Sequence, residues 1–228
     1  RDATTTTPES YSVSDFDFLL YGQAGLQVVE NVLPKEEEQR SLIVSEAAFA
    51  EAELSDVKTV SVTDIENDGD LDVVLIGSAG LQLWKNHENW LFTDVTLTAL
   101  SEAQWAGDGQ VLVAADYNRS LQSDLLVSGG VFENIRHGRL QFNEAAGDLF
   151  PAAVLTALVV FDVDNNGTAD IVSATNEGVN ITCTGNSPGG KTWKRNSIQL
   201  DVTSVVGLVP VDFDNDGKRD LWKSLPDI

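Results

Sequence analysis

The sequence predicts an all-β chain built as a β-propeller of four-stranded blades, on three observations. A nine-residue, aspartate-rich loop recurs at a nearly constant interval. Short apolar and alternating runs flank it. Helix signals are sparse. The loop begins at Asp64, Asp116, Asp162 and Asp212, so successive copies start 52, 46 and 50 residues apart. A fixed period of that size marks a supersecondary unit that becomes stable by stacking on its neighbours.

The strands of one repeat can be placed in order around Asp64. Val57 to Val62 leads into the loop as a first strand. Leu71 to Ile76 is a second, nearly all apolar and β-branched, as expected of a strand covered on both faces. Ser78-Ala79-Gly80 turns the chain, and Leu81 to Lys85 alternates apolar with polar. Trp90 to Val95 supplies a fourth strand. Four short strands joined by glycine-containing turns describe one propeller blade. The charged segment Pro34 to Arg40 reads as a loop insertion.

A further copy is partly hidden near the N-terminus. Asp17 to Val28 matches Asp72 to Leu83 position for position, and the two segments run on to Asn31 and Asn86. Upstream of Asp17 the loop has decayed to Glu9, Tyr11 and Val13, so this repeat is expected to hold no metal. The resulting blades span approximately 11–54, 55–104, 105–152 and 153–203, with a partial blade over 204–228, after a flexible linker over 1–10. About four and a half repeats are present, and an open propeller exposes strand edges. The expectation is that the chain forms part of a larger propeller. Closure by its own N-terminal strands, or cover by another subunit, are the alternatives.

The loop chemistry points to calcium. Oxygen-bearing residues stand at positions one, three, five and nine, with glycine at six in three of the copies. Calcium takes six to eight oxygens at about 2.3–2.6 Å, which such spacing can supply from one tight loop. Glycine at position six permits a positive φ, and the residue at seven presents its carbonyl. Carboxylates crowded in this way repel one another unless a cation lies between them. An EF-hand loop starts similarly but ends in Glu at position twelve and is flanked by helices. Magnesium fits less well, because it dehydrates reluctantly. A plain hairpin turn needs only two such residues. The copy at Asp116 is weaker: Asn118, Ser120, Gln122 and Asp124 complete it, but glycine is missing and Arg119 brings a positive charge.

These residues resemble FG-GAP repeats and the similar VCBS-type repeats, known from integrin α-subunit propellers and many secreted bacterial proteins. The stretch Gly80-Leu81-Gln82-Leu83-Trp84-Lys85-Asn86, followed by Leu91-Phe92-Thr93-Asp94-Val95-Thr96, is similar to the subset related to cartilage acidic protein. The resemblance covers about Tyr11 to Leu225. It implies a propeller with calcium held in the hairpins between the first two strands of blades. The ligands it implies are Asp64, Glu66, Asp68, Asp70 (carbonyl) and Asp72 in the first set. In the second they are Asp162, Asp164, Asn166, Thr168 (carbonyl) and Asp170, and in the third Asp212, Asp214, Asp216, Lys218 (carbonyl) and Asp220. Glu66 departs from the usual Asp or Asn at position three.

Composition narrows the partners. Among 228 residues, 36 are acidic and 14 basic, giving a net charge of -22. Such a surface repels nucleic acid and anionic membranes, and no apolar run approaches the ~20 residues of a membrane-spanning helix. A hydrophobic content of 42% supports a packed core. The single cysteine, Cys183, excludes an intramolecular disulfide and is expected to be a buried strand residue. His87 and His137 occupy similar places in successive repeats and read as structural. No nucleophile elbow, phosphate loop or zinc motif occurs. Trp84 and Trp222 fall in expected strands and are read as core, whereas Trp105 is a surface candidate; with Trp90 and Trp193 they could line a sugar-binding face. Of the sequons at Asn118, Asn166 and Asn180, only Asn180 avoids a ligand position. The function expected is a non-enzymatic, calcium-stabilised module that binds a protein or glycan. A polysaccharide lyase or hydrolase, or a structural subunit of an extracellular complex, are the alternatives. Millimolar extracellular calcium suits weak loop sites, so a secreted, periplasmic or cell-surface location is expected.

Overall fold

The computed structural model describes residues 17–32, 41–45, 48–49, 54–87, 91–100, 109–151, 153–187, 190–196 and 205–224. The 1–10 linker, the Pro34 to Arg40 segment, the decayed loop at Glu9, Tyr11 and Val13, and both Trp90 and Trp105 lie outside the described residues.

Among the described residues the strands form five antiparallel sheets, each following chain order. The first contains β1 (Phe18–Gly22), β2 (Gly25–Val32) and β3 (Ser41–Ser45). The second contains β4 (Thr59–Thr63), β5 (Asp72–Gly77), β6 (Gly80–Asn86) and β7 (Phe92–Asp94). The third contains β8 (Leu112–Ala115), β9 (Asp124–Val127), β10 (Gly130–Arg136) and β11 (Arg139–Asn143). The fourth contains β12 (Leu155–Phe161), β13 (Asp170–Thr175), β14 (Gly178–Ser187) and β15 (Gly190–Asn196). The fifth pairs β16 (Gly207–Val211) with β17 (Asp220–Ser224). Helix is confined, among the described residues, to one turn, α1 (Thr96–Ala99), and a 3-10 segment at Glu144–Leu149. Strands β4, β8, β12 and β16 pack against one another in succession. They are the inner strands of a β-propeller whose sheets are the blades.

Period-two alternation explains how each blade meets two neighbours. On β5, Val73 and Leu75 face the first blade, where Leu26, Val28 and Ala48 receive them. Val74 and Ile76 face the third blade and meet Leu112, Leu125, Val127 and Phe132. Every residue of β5 is therefore buried, which is why its sequence is a continuous apolar run. Trp84 lies in the core between the first two blades, as its place in a strand leads one to expect. The junction of the third and fourth blades is filled by Val111, Leu126 and Phe150 against Leu155 and Ile171.

One expected core residue is not in the core. Val74, Leu126 and Val172 each stand two positions after the last aspartate of their loop, and each is fully buried against the following blade. Trp222 holds the same register position in the fifth blade yet is 57% exposed, with Phe213 at 5.2 Å between ring centroids. Its face is the one that earlier blades cover with their successor, and no sheet lies against it among the described residues. Phe18 and Leu20 of β1, equivalent to Val73 and Leu75, are likewise exposed on the opposite end of the stack.

Candidate metal centres

Each aspartate loop joins the first two strands of a blade, so the four loops recur at the same end of successive sheets. Numbering each loop from its first aspartate shows one scaffold. The carboxylate at position one accepts two backbone N–H groups, from positions five and six. Asp64 accepts from Asp68 and Gly69, Asp116 from Ser120 and Leu121, Asp162 from Asn166 and Gly167, and Asp212 from Asp216 and Gly217, all within 2.8–3.1 Å. The side chain at position five then accepts the N–H of position seven: Asp70 to Asp68 at 3.1 Å, Thr168 to Asn166 and Lys218 to Asp216 at 2.8 Å, and Gln122 to Ser120 at 3.3 Å.

The tight path demands left-handed backbone twice per loop. Position six does so at Gly69, Gly167 and Gly217, as expected, and also at Leu121, whose φ is 65°. Position four does so at Asn67, Arg119, Asn165 and Asn215, with φ between 57° and 62°. The second requirement was missed from the sequence, although asparagine at position four in three copies was the readable signal, since Asn tolerates this region better than most residues.

Position nine is a latch as well as a candidate ligand. Asp72, Asp124 and Asp170 are fully buried. Asp72 accepts the Ile65 N–H at one oxygen and the Asn86 N–H at the other, both at 2.9 Å. Asp170 and Asp220 accept the equivalent N–H groups of Val163 and Phe213. Asn31 to Asp17 and Asn134 to Asp124, both 2.8 Å, repeat the second bond in the first and third blades. The paired asparagines Asn31 and Asn86 thus mark where the third strand is tied to the loop. Burial pushes the Asp72 carboxyl above the usual carboxylate range, with the charges of Asp68 and Asp64 adding to the rise against the two backbone bonds. Each oxygen still has a lone pair for a cation.

The loops differ in how they handle their negative charge. At the last loop, oxygens of Asp212, Asp214 and Asp216 lie within 4.8 Å of one another. Lys218 reaches only Asp216, at 3.5 Å, from an exposed position. At the loop of Asp162, oxygens of Asp164 and Asp170 converge with the sulfur of Cys183 within the same 4.8 Å. Cys183 is therefore half-buried beside the loop rather than in the core, because its strand position on β14 faces the loop's last aspartate. Burial, then the Asp170 and Asp164 charges, push its thiol up, so it stays protonated and is a poor ligand. At Asp64, by contrast, Lys85 from β6 pairs with Glu66 and, at 3.1 Å, with Asp68. No three carboxylates converge at Asp64 or Asp116 among the described residues. Three carboxylates beside one exposed lysine at Asp212, and two carboxylates with a thiol at Asp162, are clusters that could hold a metal ion.

Neighbouring loops are also joined to one another. Thr63 donates to Ser123 at 2.7 Å, Asn67 to the Leu121 carbonyl at 3.3 Å, and Arg119 to the Gly167 carbonyl. His137 Nδ1 lies 3.0 Å from the Glu66 carbonyl, a bridge between blades. Arg119 in the weakest loop thus links one loop to the next.

The FG-GAP-like repeat model matches residues 64–127 and 137–222. No curated protein sequence matches the chain. Among solved structures, a lectin of Agrocybe aegerita, described for its specific recognition of non-reducing terminal N-acetylglucosamine, is 17% identical over 90% of this chain, with a TM-score of 0.55. The match covers 56% of the lectin chain, so this chain spans little more than half of that structure's length. At that identity the likeness is one of fold. The family model covers more than half of the sequence and both halves of the blade stack, and the chain belongs to the FG-GAP-like repeat family.

Proposed function

We propose that the chain is a calcium-stabilised, extracellular-type binding module that recognises a protein or glycan through loops of its propeller. The observation that carries the calcium reading is the convergence of Asp212, Asp214 and Asp216 with no buried protein cation beside them among the described residues. Asp212, Asp214, Asp216 and Asp220, with the Lys218 carbonyl, hold one ion. Asp162, Asp164, Asn166 and Asp170, with the Thr168 carbonyl, hold another. Calcium here is structural: it offsets the loop's negative charge and so holds together the hairpin between a blade's first two strands.

Family membership supports the binding role, as FG-GAP-like repeats are typical of extracellular proteins. The lectin whose fold this chain shares is the precedent for a glycan partner. A secreted, periplasmic or cell-surface site agrees with the loop chemistry, since weak loops fill in millimolar calcium. The exposed face of Trp222 and Phe213 is where a further blade of a larger propeller docks. The test is a glycan array and a panel of polysaccharides, each probed in calcium and again in EGTA. Calcium-dependent retention on a defined glycan set is the expected result. Turnover of a polysaccharide would replace the binding role with an enzymatic one.

A further inference from the structure

We infer that Lys85 is the resident cation of the loop at Asp64, so that this loop keeps its form without calcium and admits the metal only against the ammonium. The inference rests on the calcium reading above and divides the loops into two kinds. Its first support is contact. The Lys85 ammonium binds Glu66 and lies 3.1 Å from Asp68, at positions three and five of the loop. Those are the positions whose counterparts, Asp214 and Asp216, converge with Asp212 in the last loop. An ammonium in contact with both carboxylates fills the space a calcium ion needs at about 2.3–2.6 Å from its ligands.

The second support is register. Trp84 pairs with Val73, Phe132 with Leu125 and Thr182 with Ile171, so Lys85, Glu133 and Cys183 follow at equivalent points of the third strand. Each faces the last aspartate of its own loop. Glu133 accepts the Tyr117 hydroxyl and the Asn143 amide, and Cys183 sits beside Asp164 and Asp170. This position thus adjusts the charge beside each loop, and of these three side chains only Lys85 brings a positive one.

The third support is the matching departure at Glu66. In the other three loops the residue at position three accepts the N–H of position five, at 2.9–3.2 Å. Glu66 instead extends its longer arm to Lys85, which leaves the Asp68 N–H with the bond to position one that all four loops share. Two unusual residues in one blade, Glu66 and Lys85, answer each other.

The experiment is calcium titration calorimetry on the full chain, comparing wild type with Lys85→Met, each with and without Asp68→Asn. Lys85→Met keeps the aliphatic stem, and Lys85→Gln serves as a second variant if the first melts early by circular dichroism. The expected result is a gain of about tenfold or more in the affinity of one further site in Lys85→Met, abolished by Asp68→Asn. Identical isotherms for wild type and both Lys85 variants, with uptake still at the other loops, overturn the inference and leave the calcium reading standing. No uptake by any of the proteins overturns both.

Discussion

The second and fifth blades carry the same loop on the same strand pair, yet they solve two problems in different ways. In the second blade the loop carboxylates are met by Lys85, and both faces of β5 are covered by neighbouring blades. In the fifth, among the described residues, three aspartates converge with only an exposed lysine near one of them, and the face bearing Trp222 is uncovered. The same repeat is thus self-sufficient where it carries its own cation and neighbours. Where it does not, the proposed metal would supply the missing charge, and the apolar face lies uncovered among the described residues.

Substitutions at matched positions sharpen that contrast, and the largest effect is expected in the covered blades. Leu126→Ala, at the register position of Trp222 but fully buried, should cost about 2–5 kcal/mol. Urea unfolding midpoints measure this directly. Asp214→Asn should remove about 2 kcal/mol of stability in millimolar calcium and little in EGTA, because its loss acts through the bound ion. Glu66→Gln should act equally in both buffers; a calcium-dependent loss there would erase the distinction between the blades. Leu121→Gly should stabilise the chain by up to about 1 kcal/mol, since an exposed leucine now holds the left-handed backbone that glycine holds in the other loops. Smallest of all, Trp222→Ala should change stability by no more than about 0.5 kcal/mol in the chain alone, for its side chain has little to lose.

Much of this was legible in the sequence, for a physical reason. A repeat writes its own alignment, so the loop period and the run Leu71 to Ile76 gave the four-stranded repeat and the buried second strand. Strand ends shifted by a residue or two, as at β4, expected over Val57 to Val62 and found at Thr59–Thr63. What escaped lies between repeats or between distant strands. Trp222 looked like core because its register is a core register; its exposure depends on whether another sheet follows. Cys183 looked like an interior strand residue because it alternates with threonines, but the side on which it falls is the loop side. The contact between Lys85 and Glu66 spans two strands and two separate departures from the repeat, neither informative alone. The latch at position nine was hidden because an aspartate that is expected to bind metal gives no sign of the backbone groups it also holds.

The central claim, that aspartate loops late in the chain need a divalent cation, is tested most directly by thermal unfolding of the full chain. Melts are recorded in millimolar calcium, in EGTA, and in EGTA followed by magnesium. If two loops each gain the ~2.7 kcal/mol of a ligand at a hundred times its dissociation constant, the melting temperature should fall by roughly 10 °C or more on chelation. Calcium should restore it and magnesium should not. An unchanged melting temperature would mean that the converging aspartates of the last loop are plain turns, and would contradict the account.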